Sequence, residues 1–225
     1  MLRQLHADLW VAEMPFRLLG TQIGSRSTIV RLPNGDLWVH SPIGLLPSLQ
    51  SELEKLGKVR WIVAPNTFHY LHVAEWAKAF PDAQICAVPG LKPLPEVHVS
   101  RILGDESEPE WQEFLDQTLF RGSIMATEGV WCHRPSQTLI LTDTLIHIPA
   151  KRDKWTRRVG KMLGVYESWR PSRYFKLSIR DRKSARRSVE TILSWDFERI
   201  IIAHGPICET DAKNVLRRAY QFLLK

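Results

Sequence analysis

Five of the chain's histidines and carboxylates stand out as candidates to handle a divalent cation or a proton: His40, His69, His72, Asp143 and His204. Imidazole and carboxylate hold zinc and other first-row divalent metals, and the same pair performs general acid–base work. Their placement is what joins them. His40 closes the apolar run Leu37-Trp-Val, and His69 follows Trp61-Ile-Val-Ala64 after a short polar loop. Asp143 ends Thr138-Leu-Ile-Leu-Thr, and His204-Gly205 ends Ile200-Ile-Ile-Ala203. His72 lies within one helical turn of His69. In α/β proteins, functional side chains gather where strands end and loops begin. Singly, each residue also has a plain structural use: Asp143 as a turn cap, His69 and His204 as partners of buried backbone groups, His72 on a helix flank. Together they outline one candidate site. His6, His98 and His147 read as surface or packing residues.

The elements that must position these residues are legible in the apolar patterning. Asp8–Ala12, Thr28–Leu32 and Leu37–His40, the last two joined by the turn Pro33-Asn-Gly-Asp36, read as an antiparallel meander. Leu49, Leu53 and Leu56 recur at helical spacing over 47–56, and Gly57 follows as a C-cap suited to positive φ. A strand over 59–64, a helix ending at Phe80 and a strand over 84–88 continue a βαβ alternation, which implies helices covering a sheet. The stretch 89–109 holds four prolines and reads as loop with one short strand around 97–103. The segment 110–119 is predicted helical. Two strands, 124–132 and 138–142, flank Arg134-Pro-Ser-Gln137 as a hairpin. Trp155, Val159, Met162 and Leu163 mark an amphipathic helix with those residues inward. A second basic helix spans about 180–194, a strand covers 199–203, and a strongly patterned helix starts at Asp211. The whole, residues 1–225, reads as a single α/β domain.

Composition narrows the setting. With 44% hydrophobic residues among 225, a sizeable core is assured. No apolar run is long enough for a bilayer span, and the first residues lack the pattern of an export signal. Three cysteines, Cys86, Cys132 and Cys208, are widely separated and without a Cys-x-x-Cys pair. A cytoplasmic protein with buried, unreactive thiols is expected. The net charge of +7 is regional: 14 of the 31 basic residues, against three acidic ones, fall between Lys151 and Arg187. That segment is either a solvated helical face or a surface for anionic partners, whether a small molecule, nucleic acid or an anionic membrane. The nine tryptophans lie mostly in patterned segments and read as core.

The phrases Trp38-Val-His-Ser-Pro42, Trp61-Ile-Val-Ala-Pro-Asn66, Thr138-Leu-Ile-Leu-Thr-Asp143 and Ala203-His-Gly205 resemble the metallo-β-lactamase-like superfamily, in a branch of unknown function. The resemblance runs from about Thr28 to His204. It implies a four-layer αββα sandwich, a site for one or two metal ions, often zinc, and a hydrolytic activity. Asp143 is similar to the superfamily's bridging Asp and His204 to its final His, and the resemblance implies these two as the catalytic pair. The early His-x-His-x-Asp-His motif is absent. In one register its positions are Pro65, Thr67, His69 and Tyr70; in the other they are Ala64, Asn66, Phe68 and His69. An intermediate His would fall near Gly122–Met125, where there is none, and His133 lies at the wrong end of its hairpin, roughly 15–20 Å from Asp143 at ~3.3 Å per residue. The resemblance thus implies either an atypical metal-dependent hydrolase for an anionic small molecule, with a remodelled ligand set drawn from His40, His69, His72, Asp143 and His204, or a non-catalytic binding protein on the same scaffold.

Overall fold

The computed structural model describes all 225 residues. A seven-stranded sheet is laid down first. Strands β1 (Leu2–His6), β2 (Leu9–Met14), β5 (Ser25–Arg31) and β6 (Asp36–His40) pair antiparallel; β7 (Lys58–Ala64), β8 (Gln84–Ala87) and β9 (Arg101–Ile102) then add in parallel. A small hairpin, β3 (Arg17–Leu18) and β4 (Thr21–Gln22), projects between β2 and β5. The second sheet has four strands: β10 (Leu115–Phe120), β11 (Glu128–His133), β12 (Thr138–Ile140) and β13 (Arg199–Ile201), the last pair parallel. The helices are α1 (Pro47–Leu56), α2 (Val73–Ala79), α3 (Lys154–Leu163), α4 (Arg173–Ser178), α5 (Arg182–Ser194), α6 (Ala212–Ala219) and α7 (Gln221–Leu224).

Strand alternation shows how these pieces stack. Along β6, Leu37 and Val39 turn toward Leu49 and Leu53 of α1 and Trp76 of α2, whereas Trp38 turns to the opposite face and meets Trp61, Trp111 and Trp131. Along β11, Val130 and Cys132 face Ala185 and Val189 of α5 and Leu216 of α6, whereas Trp131 faces Trp38. Three buried clusters therefore separate four layers, helix–sheet–sheet–helix, and this is the αββα sandwich. Burial pushes the thiols of Cys86 and Cys132 up to about 12 and raises that of Cys208, so all three are inert apolar fillers. No helix is long and apolar enough to cross a membrane.

Four expectations are corrected. Residues 110–119 are not a helix: a turn leads into β10, which pairs residue for residue with β11 from Leu115↔His133 to Phe120↔Glu128. Trp111 and Leu115 do sit four apart, but both fill the space between the sheets, and the ladder outweighs the local pattern. The helix before Phe80 starts at Val73, leaving 65–72 as loop. Gly57 has an extended φ of 164°, and it is required because a Cβ there would lie 2.0 Å from the Gly35 carbonyl oxygen. Finally, α3 is rotated from the expected orientation. Its buried residues are Thr156 and Gly160, the latter pressed against Ile148, while Trp155 and Met162 are 54% and 56% exposed.

Candidate metal centre

The ends of β6, β7, β12 and β13 converge at one rim of the sandwich, and a buried hydrogen-bond network fixes what they carry. After β7, the fully buried Asn66 folds the loop onto itself: its Oδ1 accepts from the backbone N–H groups of Phe68 and His69, both at 2.9 Å. Its amide nitrogen reaches across the sheets to Asp143 Oδ2 at 2.8 Å, Thr142 Oγ1 at 2.9 Å and Glu128 Oε2 at 3.1 Å. Glu128, at the start of β11, is buried and accepts from the backbone N–H groups of Thr142, Asp143 and Thr144 and from the Thr144 hydroxyl at 2.6 Å. A carboxylate so fastened holds the turn after β12 and aims the Asp143 side chain.

Two imidazoles flank that side chain. His204 Nδ1 lies 2.6 Å from the Gly24 carbonyl oxygen. A carbonyl only accepts, so Nδ1 carries the proton and Nε2 is turned toward Asp143 Oδ1, 3.4 Å away. His69 Nδ1 is 2.7 Å from Ser41 Oγ, and its Nε2 is 3.4 Å from Asp143 Oδ2. Ser41 reaches it from a left-handed backbone, φ 55°, uncommon for a non-glycine residue and costly outside a site that needs it. Gly205 has φ 135°, and a Cβ on it would stand 2.3 Å from the His147 carbonyl oxygen, which explains the His-Gly pair at this strand end. Buried Arg26 clamps the same turn, donating to the carbonyls of Ile202 and, at 2.8 Å, Gly205, with Glu13 as its counter-ion.

The ligand atoms of His69, Asp143 and His204 lie within 4.8 Å of one another. Burial opposes ionisation of Asp143, but the charge on His69 and hydrogen bonds from both imidazoles outweigh it and hold the carboxyl well below the usual carboxylate range. Burial likewise works against a charged His69, yet the charges of Asp143 and Glu128 and a hydrogen bond to Asp143 raise its pKa. The residues fit a metal ion on their own chemistry. Both Nε2 atoms face the Asp143 carboxylate, so two imidazole nitrogens and a carboxylate oxygen converge as a donor set of the kind that holds a first-row divalent ion. Three such donors suit one ion; the structure offers no comparable second set.

Of the five residues singled out by sequence, the structure therefore brings three together. His72 caps α2 and pairs with Glu75 at 3.0 Å, outside the trio. His40 points between the sheets, stacked on Trp38 and edge-on to Trp131, with neither ring nitrogen bonded; burial, then the nearby His69, lowers its pKa to about 3. Asn66 is a hub, not a ligand position. Glu128 went unread, although an isolated acid opening an apolar strand, Glu128-Gly-Val-Trp-Cys, must find buried donors somewhere, and that demand is a usable signal.

A family model for a domain of unknown function, DUF4336, matches residues 6–163. The chain belongs to the DUF4336 family. No curated protein matches the sequence. Among solved structures, it is similar to a metallo-β-lactamase from Pontibacter korlensis at 11% identity and TM-score 0.65, over 100% of this chain and 99% of that one. The mono-zinc form of the metallo-β-lactamase FIM-1 from Pseudomonas aeruginosa gives 12% identity and TM-score 0.64, over 100% and 96%. The flavodiiron core of Flv1 from Synechocystis sp. PCC6803 gives 11% and 0.68, with 60% of that chain covered. This DUF4336 chain thus has the metallo-β-lactamase fold, and identities this low carry the fold alone.

Proposed function

We propose that this DUF4336 protein is a mononuclear metal-dependent hydrolase acting on an anionic small molecule, with His69, Asp143 and His204 holding zinc or another first-row divalent ion. The observation that carries the reading is the pinning of both imidazoles by Nδ1, to Gly24 and to Ser41, which leaves both Nε2 atoms turned to the Asp143 carboxylate. When bound, such an ion supplies a Lewis acid that polarises water or a substrate oxygen. The chain's own part is to orient: Asn66 and Glu128 set the Asp143 carboxylate, Ser41 and Gly24 set the two rings, and Arg26 with Gly205 sets the turn.

The test is metal analysis of protein purified without chelator, followed by assay on ester and phosphoester substrates. Near-stoichiometric metal, lost with activity in Asp143→Asn and His204→Ala, is expected. Metal content unaffected by both substitutions would refute the reading. One observation favours the alternative of a non-catalytic binding protein. The His69–Asp143 pair, with His69 pushed toward its charged form, satisfies the buried carboxylate without a metal. Metal-dependent turnover of any substrate removes that alternative.

A further inference from the structure

A cleft of about 690 Å³ lies behind the metal centre, between the β3–β4 hairpin segment, the loop entering α3 and the turn after β13. Its charge is not balanced. Arg3 and Arg26 share Glu13, and Glu209 is taken by Arg199, but Arg17, Lys151 and Arg152 also line the cleft and form no ion pair. Arg152 is the telling one: its Nε is buried with no hydrogen-bond partner. A buried, unpaired guanidinium nitrogen costs free energy unless an acceptor arrives. The Arg152 guanidinium lies against Gly24, whose positive φ of 68° favours glycine; a Cβ there would be in van der Waals contact with Nη2, at 3.4 Å. The same Gly24 accepts the His204 Nδ1 proton, and Phe16, another cleft residue, stacks on the His204 ring with centroids 6.5 Å apart. The cleft and the metal centre thus share a wall one residue thick.

We infer that this cleft is a binding site for a multiply charged oxyanion, a phosphoryl or polycarboxylate group of a small molecule, held by Arg17, Lys151 and Arg152. Three uncommitted cations call for an anion of two or more charges, and guanidinium forks favour oxyanions. The volume suits a metabolite-sized ligand. That this anion belongs to the substrate, with its reacting end carried past Phe16 to His69, Asp143 and His204, rests on the hydrolase reading; the binding itself does not.

Calorimetric titration with inorganic pyrophosphate and with citrate tests it, using the wild type, Asp143→Asn, Lys151→Ala, Arg152→Ala and the outer-face pair Lys154→Ala with Arg158→Ala. Expected is saturable one-to-one binding of at least one probe, equal in wild type and Asp143→Asn. It should weaken about tenfold or more in Lys151→Ala and in Arg152→Ala, as loss of a charge-assisted hydrogen bond implies, and persist in the outer-face pair. Lys151 is exposed, so its removal tests the site even if Arg152→Ala disturbs the loop. Pyrophosphate alone, citrate alone or both binding in this pattern supports the site and names its preferred oxyanion. Binding of neither, or equal loss in the outer-face pair, overturns it. Binding lost in Asp143→Asn but intact in the cleft variants also overturns it, placing the anion at the metal and leaving the hydrolase reading standing. Cleft binding in a protein that never holds metal would sink the hydrolase reading and leave the cleft.

Discussion

Replacing His40 by leucine should flatten the acid dependence of stability without costing metal. In the fold His40 is 1% exposed, boxed by Trp38 and Trp131, with both ring nitrogens unbonded and its pKa lowered from 6.5 to about 3 by burial, then by His69. The unfolded chain therefore binds a proton below about pH 6.5 that the folded protein refuses until about pH 3, so this group takes stability away as pH falls through that window. At about pH 5 the loss is ~2 kcal/mol, from ~1.4 kcal/mol per pH unit over ~1.5 units. Leucine, close in volume, carries no such linkage. At neutral pH the variant sheds two unsatisfied polar atoms and loses the ring stacking, contributions of similar size, about 1–3 and 0.5–1.5 kcal/mol, so it should stay near the wild type. Urea unfolding at about pH 7 and about pH 5 reads the effect: the wild-type midpoint should drop by roughly 1 M more than the variant's. Every other titrating group is common to both proteins, so the difference isolates His40 and its coupling to His69. Identical pH dependence in the two proteins would refute the apolar box, and loss of bound metal in His40→Leu would make His40 a ligand after all.

Other substitutions probe the network. Gly205→Ala places a Cβ 2.3 Å from the His147 carbonyl at positive φ, and should cost about 2 kcal/mol or more and disturb His204; thermal unfolding and metal content report both. Glu128→Gln keeps the shape but removes the charge that gathers three backbone N–H groups, so a loss of about 2–4 kcal/mol in denaturant unfolding is expected. Ser41→Ala frees His69 Nδ1 and should weaken metal affinity about 10–100-fold in competition titrations while leaving the unfolding midpoint nearly unchanged. His133, buried and held near a pKa of about 4 by burial, then by His6, loses stability in the same direction as His40, over about pH 6.5 to 4; His133→Phe should remove up to ~3 kcal/mol of that dependence.

Most of the scaffold was legible because its signals are local. Pattern and punctuation at Pro33–Asp36, at 47–56 and at Arg134–Gln137 state their own elements, and asking which polar groups stand at strand ends picked out His69, Asp143 and His204, which the structure brings together, along with His40, which it does not. What escaped was set at long range. Trp111 and Leu115 satisfy helical spacing, yet their partners, Trp38, Trp61 and Trp131, come from three distant strands. Glu128 looks misplaced until the turn 142–144, brought beside it by the β11–β12 hairpin, supplies its donors.

The orientation of α3 shows the same principle and bears directly on the site. Hydrophobicity alone turns Trp155, Val159 and Met162 inward, but only residues as small as Gly160 and Thr156 let the helix axis close on Ile148, and Thr156 Oγ1 also accepts from the Gln22 backbone at 2.9 Å. Close approach and one buried hydrogen bond outweigh the burial of two large side chains, which the helix leaves half-exposed. The consequence is positional: α3, docked this way, fixes the 22–24 segment that leaves the hairpin, and through the Gly24 carbonyl it fixes His204. The basic segment therefore reaches the candidate metal centre through its smallest residues, while Lys151 and Arg152, just ahead of the helix, line the cleft without ion pairs.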